Sequence, residues 1–150
     1  MTEYDSYQKT FSWELDFSLN LGETDRKFFE GLKEKRILGK QCPDCGRTFV
    51  PPQPYCDECF VETDEWVEMD QEAVIESYTV TFRQFRNMPA PPYANGAIRV
   101  GDSATCLLHF ISGIEYDEPE EMIDELSSGM TVEPVWVDEP EGDILDIKHF

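Results

Sequence analysis

"CPDCGRTFVPPQPYCDEC", residues 42–59, carries two Cys-x-x-Cys pairs with ten residues between them. A two-residue gap lets both thiolates of a pair reach one ion while backbone amides face the sulfurs, and Gly46 permits the tight turn that follows Cys45. Two such knuckles close a tetrahedral shell. Cys42, Cys45, Cys56 and Cys59 are therefore read as ligands of a structural metal with no open position for a substrate. Zinc is the expected ion, with iron also admissible, because a rubredoxin-like iron site uses similar knuckles. In zinc peptides such binding contributes about 10–16 kcal/mol, enough to hold a short segment that has almost no apolar core. Pro51, Pro52 and Pro54 stiffen the connection and position Tyr55. Thioredoxin-type redox work needs one pair beside a helix start, which two matched knuckles do not provide.

The surrounding chain bounds what such a module can serve. With 150 residues, 40% hydrophobic and 13% aromatic, it is ordinary globular material: one medium domain, or a small module joined to a modest one. The longest apolar run, Ala104 to Ile111, is broken by His109 and falls far short of the roughly 18 residues of a membrane span. The opening "MTEYDSYQKT" lacks the basic and apolar regions of a secretory signal, so a cytoplasmic location is expected. Four of the five cysteines in close pairs also suit a reducing compartment; Cys106 stands alone.

Charge argues against a nucleic acid. The formal net charge is -20, and seven of the twelve basic residues fall between Arg26 and Arg47. From Glu115 to Asp146 there are thirteen acidic residues and no basic one. Duplex binding depends on neutralising phosphates, and no run here is basic enough to do so.

Hydrophobic patterning divides the chain into four parts. Residues 1–23 read as an extended N-terminal arm, since in "TFSWELDFSLNL" (10–21) Phe11, Trp13, Leu15, Phe17, Leu19 and Leu21 share one face. That arm packs either on its own body or on a partner. Residues 24–39 read as a helix capped by Thr24 or Asp25, with Phe28, Phe29, Leu32 and Ile37 inward and Gly39 at its end. The metal ribbon spans 40–64 and a barrel 65–150. Within the barrel, "AVIESYTVTFRQF" (73–85) is the first strand, and an Asn95-Gly96 turn signal places the second at 97–101. "ATCLLHFIS" is the third, with Ala104, Cys106, Leu108 and Phe110 on its core face and His109 opposite. "EPEEMIDELSSG" is a short acidic helix or loop ending at Gly129; "MTVEPVWVD" and "DILDIKHF" supply the last two strands. The predicted fold is mainly β: an arm and a helix, a rubredoxin-like four-cysteine ribbon, and a five-stranded OB-fold barrel.

Taken in combination, "FFEGLKEKRILGKQCPDCGRTFVPPQPYCDEC", Trp66, the "SYTV" strand, "PPYANGAIRV", Gly129 and the final "IKHF" resemble a zinc-ribbon/OB-fold family long catalogued as a domain of unknown function. The resemblance covers about residues 24–150; the arm before it is longer and more regular than the family leads one to expect. Members of the family it resembles are encoded with, and bind to, thiolases and related ketoacyl-CoA enzymes, and several are non-catalytic subunits. In archaeal complexes one bridges thiolase to hydroxymethylglutaryl-CoA synthase, and in anaerobic toluene breakdown one partners benzoylsuccinyl-CoA thiolase. The resemblance implies an accessory subunit that binds a thiolase-like catalytic chain in a hetero-oligomer, lays its barrel over the partner's active-site entrance, and helps hold coenzyme A or acyl-CoA.

The residues themselves offer no catalytic constellation, since Cys106 and His109 lie on opposite strand faces and His149 is expected to be exposed. Coenzyme A needs a few cations and an apolar wall. Arg83, Arg86 and Arg99 are the only basic residues between Arg47 and Lys148, and Met88 and Tyr93 stand in or after the stiff loop that begins at Arg86, so Arg83, Arg86, Arg99 and Tyr93 are the candidate coenzyme-binding residues. The rival reading is a zinc-ribbon/OB-fold nucleic-acid binder, which would need a basic groove with stacking aromatics. An iron-based electron carrier would show itself by visible absorption, and a free-standing enzyme by turnover of an acyl-CoA without a partner.

Overall fold

The computed structural model describes residues 18–118 and 120–150. The predicted arm therefore lies outside the described residues up to position 17; residues 18–22 have no regular structure, and Leu19 and Leu21 are exposed. Helix α1, Glu23–Lys33, buries Phe28, Gly31 and Leu32. The Asp25 carboxylate accepts the Gly22 N–H at 3.3 Å from inside the first turn, where it also complements the helix dipole.

The helix does not run to Gly39. It closes in a Schellman motif: Lys35 takes the left-handed position at φ +58°, Arg36 N–H donates to Gly31 O at 2.9 Å, and Lys35 N–H donates to Leu32 O at 2.8 Å. A lysine fills the role usually given to glycine, which hides the stop from a sequence reading. Gly39 instead lies in strand β1, Leu38–Gln41.

Strand β1 is the centre of a three-stranded antiparallel sheet with β2, Thr48–Phe49, and β3, Glu65–Glu68. The two knuckles hang from this sheet around a small core of Cys42, Phe49 and Cys56.

The barrel is built from β4 (Ala73–Thr81), β5 (Tyr93–Val100), β6 (Leu107–Ile111), β7 (Thr131–Val132), β8 (Val135–Trp136) and β9 (Ile147–His149). Four strands form a sheet in the order β6-β5-β4-β7. After β7 the chain continues past Pro134 into β8, which pairs with β9, and Phe150 exchanges hydrogen bonds with Phe110 and Ser112 beyond the end of β6. The ring thus closes as β4-β5-β6-β9-β8/β7. The fold is mainly β with curled sheets, as predicted, and a short helix α2, Glu121–Glu125, lies between β6 and β7. Gly129, at φ +91°, ends this insert.

Two strand predictions need correction. Asn95-Gly96 is not a turn; it lies inside β5, which runs unbroken from Tyr93 to Val100. A bulge between Ile75 and Ser77 presses β4 so close to β5 that a Cβ on Gly96 would collide with Ser77 O and Ile111 Cδ1. Gly96→Ala is accordingly expected to cost about 2 kcal/mol through overpacking, read as a lower urea midpoint at unchanged slope. The phase of β6 is also reversed. Leu107, His109 and Ile111 face the core while Leu108 is 81% exposed and Cys106 is only partly covered. His109 is tolerated inside because both ring nitrogens are bonded: Nε2 to Ile144 O at 3.1 Å, and Nδ1 to Phe110 N–H at 2.9 Å.

Helix, ribbon and barrel share one apolar core. Phe28, Leu32, Ile37 and Val50 pack in the same cluster as Ile75, Ile98, Leu107, Ile147 and Phe150. Polar ties reinforce the junction. Thr105 Oγ1 accepts from Val50 N at 2.8 Å and donates to Val50 O at 2.9 Å, and Ala104 N–H donates to Thr48 O at 2.7 Å. Among the described residues no helix is long and apolar enough to cross a membrane.

Candidate metal centre and barrel cavity

The two knuckles repeat one backbone pattern. In the first, Cys42 N–H donates to Arg47 O (2.9 Å) and Gly46 N–H to Cys42 O (3.0 Å); in the second, Cys56 N–H donates to Val61 O (2.9 Å) and Phe60 N–H to Cys56 O (3.1 Å). Both turns close on a left-handed residue, Gly46 at φ +72° and Phe60 at φ +58°. Their convergence brings the sulfurs of Cys42, Cys45, Cys56 and Cys59 within 4.8 Å of one another. A tetrahedral zinc with bonds of about 2.3 Å requires sulfurs roughly 3.8 Å apart. Cys45 Sγ and Cys56 Sγ are 3.7 Å apart, and the Cys59 N–H points at Cys56 Sγ from 3.5 Å.

Their neighbours shift the cysteine thiols in opposite directions. Hydrogen bonding from the Cys59 backbone N–H lowers the Cys56 thiol to about 7. A hydrogen bond shared with Cys45, together with burial, pushes Cys59 up to about 12. Protons alone thus divide the sulfurs unequally, whereas a dication would let all four be thiolates together. Arg47 supports the arrangement from outside: it reaches across to Asp57 at 2.7 Å and Glu58 at 2.9 Å, joining the first knuckle to the second, and lies 5.3 Å over the Phe49 ring. The four thiols form a cluster that could hold a metal ion.

A second feature lies at the far side of the barrel. Between β5, the end of β6, α2 and the C-terminal strand is a cavity of about 490 Å³, lined by Tyr93, Phe110, Ile114, Met122, Lys148 and His149 among others. Pro89, Ala90 and Pro92 supply one wall from the proline-rich loop. The Tyr93 ring is buried and meets Phe110 edge-on at 6.1 Å. His149 is not exposed as expected: its Nδ1 is buried with no hydrogen-bond partner among the described residues, and burial holds its pKa below the ordinary value.

Comparison with known proteins bears on the metal centre and on the fold. The family described as "ChsH2, rubredoxin-like zinc ribbon domain" matches residues 29–65, which contain all four cysteines. A crystal structure of a protein of unknown function from the DUF35 family of Sulfolobus solfataricus is 36% identical, with TM-score 0.56, covering 63% of this chain and 72% of that one. The chain belongs to the DUF35 family. A chain of the Ltp2-ChsH2(DUF35) aldolase has the same fold at TM-score 0.62 and 22% identity, covering 83% of this DUF35 chain and 92% of its own. Among curated proteins no match is found.

Within this DUF35 fold the structure gathers the four cysteines but not the four candidate coenzyme residues. Tyr93 is in the cavity wall. Arg99 lies on β5 outside it, held by Glu76 at 2.5 Å and by Gly101 O at 3.0 Å; Glu76 is the residue that the β4 bulge leaves unpaired. Arg83 stands beside Phe85, 6.0 Å from its ring, in the loop after β4, and Arg86 follows in the same loop, outside the cavity lining. Met88 is 36% exposed and lies outside the cavity lining. Sequence reasoning does not find Lys148 and His149 as cavity residues. Their only sequence signal is the alternation of "DIKHF", which marks Ile147 and Phe150 as inward but says nothing of what their neighbours face.

Proposed function

We propose that this DUF35 protein is a non-catalytic accessory subunit of an acyl-CoA-cleaving enzyme of the thiolase or aldolase type. In this reading a structural zinc holds the ribbon, residues 40–64, and the barrel, residues 65–150, offers its cavity to part of an acyl-CoA. The observation that carries the reading is the likeness over 83% of the chain to a chain of the Ltp2-ChsH2(DUF35) aldolase. The cavity adds support. Its volume of about 490 Å³ suits a pantetheine arm or an acyl group, its walls are mostly apolar, and Lys148 supplies a cation at the rim. Arg83 and Arg86, on the loop that leads to the wall, are the groups proposed to meet the phosphates; Arg99 lies on β5 outside the cavity.

Tagging the full-length chain in its native cell and assaying the purified assembly tests this. A thiolase- or aldolase-type subunit is expected to accompany it. In the assembly, Tyr93→Ala is expected to raise KM for the acyl-CoA about tenfold with kcat little changed, since a wall that binds substrate and transition state alike affects KM. Full thioester turnover by the chain alone would overturn the proposal.

A further inference from the structure

The second knuckle departs from the first at one position. Gly46 and Phe60 occupy equivalent places, each donating its N–H to the carbonyl of the knuckle's leading cysteine, and each is left-handed. Glycine adopts that conformation freely; a bulky aromatic does so only under strain. Burial does not compensate. Phe60 is 84% exposed, the highest value for any large apolar side chain among the described residues. A phenylalanine that is both strained and solvated contributes nothing to the metal cage that glycine would not provide at lower cost.

We infer that Phe60 is the anchor by which the ribbon docks into an apolar socket, ringed by basic side chains, on the catalytic subunit of the proposed complex; the inference rests on that reading. Charge selects the occupant. Asp57, Glu58 and Glu62 surround Phe60 in sequence and are all exposed, and the one nearby cation, Arg47, is already paired with Asp57 and Glu58. A second copy would bring the same acidic rim against itself, on a chain of net charge -20. Polynucleotides and anionic membranes are disfavoured on the same ground. An apolar centre with a charged rim is the usual anatomy of a protein docking site, and its aromatic anchor carries a disproportionate share of the affinity.

The test uses the metal-loaded full-length chain and the acyl-CoA-cleaving subunit that assembles with it, their dissociation constant being measured by interferometry for wild type, Phe60→Gly and Phe60→Trp. Phe60→Gly is expected to weaken the complex about 30-fold, while Phe60→Trp stays close to wild type. Metal content should be unchanged in both, and the Tm of isolated Phe60→Gly equal or higher, since its turn is relaxed. Equal affinities for wild type and Phe60→Gly overturn the anchor and leave the subunit reading standing. A wild-type chain that forms no complex overturns both. Phe60-dependent dimerisation, or Phe60-dependent binding to single-stranded DNA or to phosphatidylserine vesicles, overturns the choice of occupant.

Discussion

Cys56→Ser is expected to release the metal and unfold the ribbon. The ribbon's own core consists of Cys42, Phe49 and Cys56, with Cys59 and Val61 partly buried against it. So small a cluster cannot replace about 10–16 kcal/mol of metal binding, a figure comparable with the whole stability of a typical domain. The effect should not stop at residue 61. Val50 and Thr48 are tied to Thr105 and Ala104, so the barrel loses part of its support and its melting temperature falls too. Elemental analysis should read close to one metal per chain for wild type and none for the variant. Circular dichroism should show the lower melting temperature. Cys106→Ser is the control: that thiol lies outside the cage and should change neither reading. A Cys56→Ser chain that melted like wild type would refute a structural role for the metal.

Asp146→Ala is the second large effect. The carboxylate of Asp146 is 4% exposed and accepts three backbone N–H groups, from Glu141 at 2.9 Å, Gly142 at 2.7 Å and Asp143 at 3.0 Å. These bonds organise the turn that leads β8 back into β9. Alanine leaves three donors short of an acceptor, at about 3 kcal/mol after water has met part of the need. The pH dependence follows from the direction of the shift. Burial tends to raise this group, but the three N–H bonds outweigh it, and the folded-state pKa lies below the ordinary 3.8. Such a group contributes its full stability above its unfolded pKa and loses it as pH falls through the folded one. The gap between wild type and Asp146→Ala should therefore be wide at neutral pH and narrow steadily in acid. Urea unfolding across that range checks it; a gap independent of pH would contradict the assignment.

Much of the metal centre is legible in the sequence, because Cys-x-x-Cys is a local geometric instruction: four thiols and one glycine specify the cage almost without reference to the rest. The barrel's strand count and its acidic insert are likewise visible, as period and turn chemistry are local too. What escapes is non-local. Asn95-Gly96 has turn chemistry, yet the close approach of Ser77 demands a glycine inside a strand. The β6 face depends on which side meets Phe150, and alternation is silent about phase. Lys35 as a left-handed helix stop runs against propensity and is seen only in its hydrogen bonds. The cavity joins β5, β6, α2 and the C-terminal strand, so no single segment could announce it. The cysteines obey a short-range rule; the coenzyme candidates rest on charge counting, which cannot tell that Arg99 is spoken for by Glu76.

The Thr105 hydroxyl grips Val50 at both its N–H and its carbonyl. A single bond would leave a swivel, but two bonds to one peptide segment also resist rotation. Torque on the cysteine knuckles is thereby delivered to the β5–β6 connection instead of being dissipated at a joint.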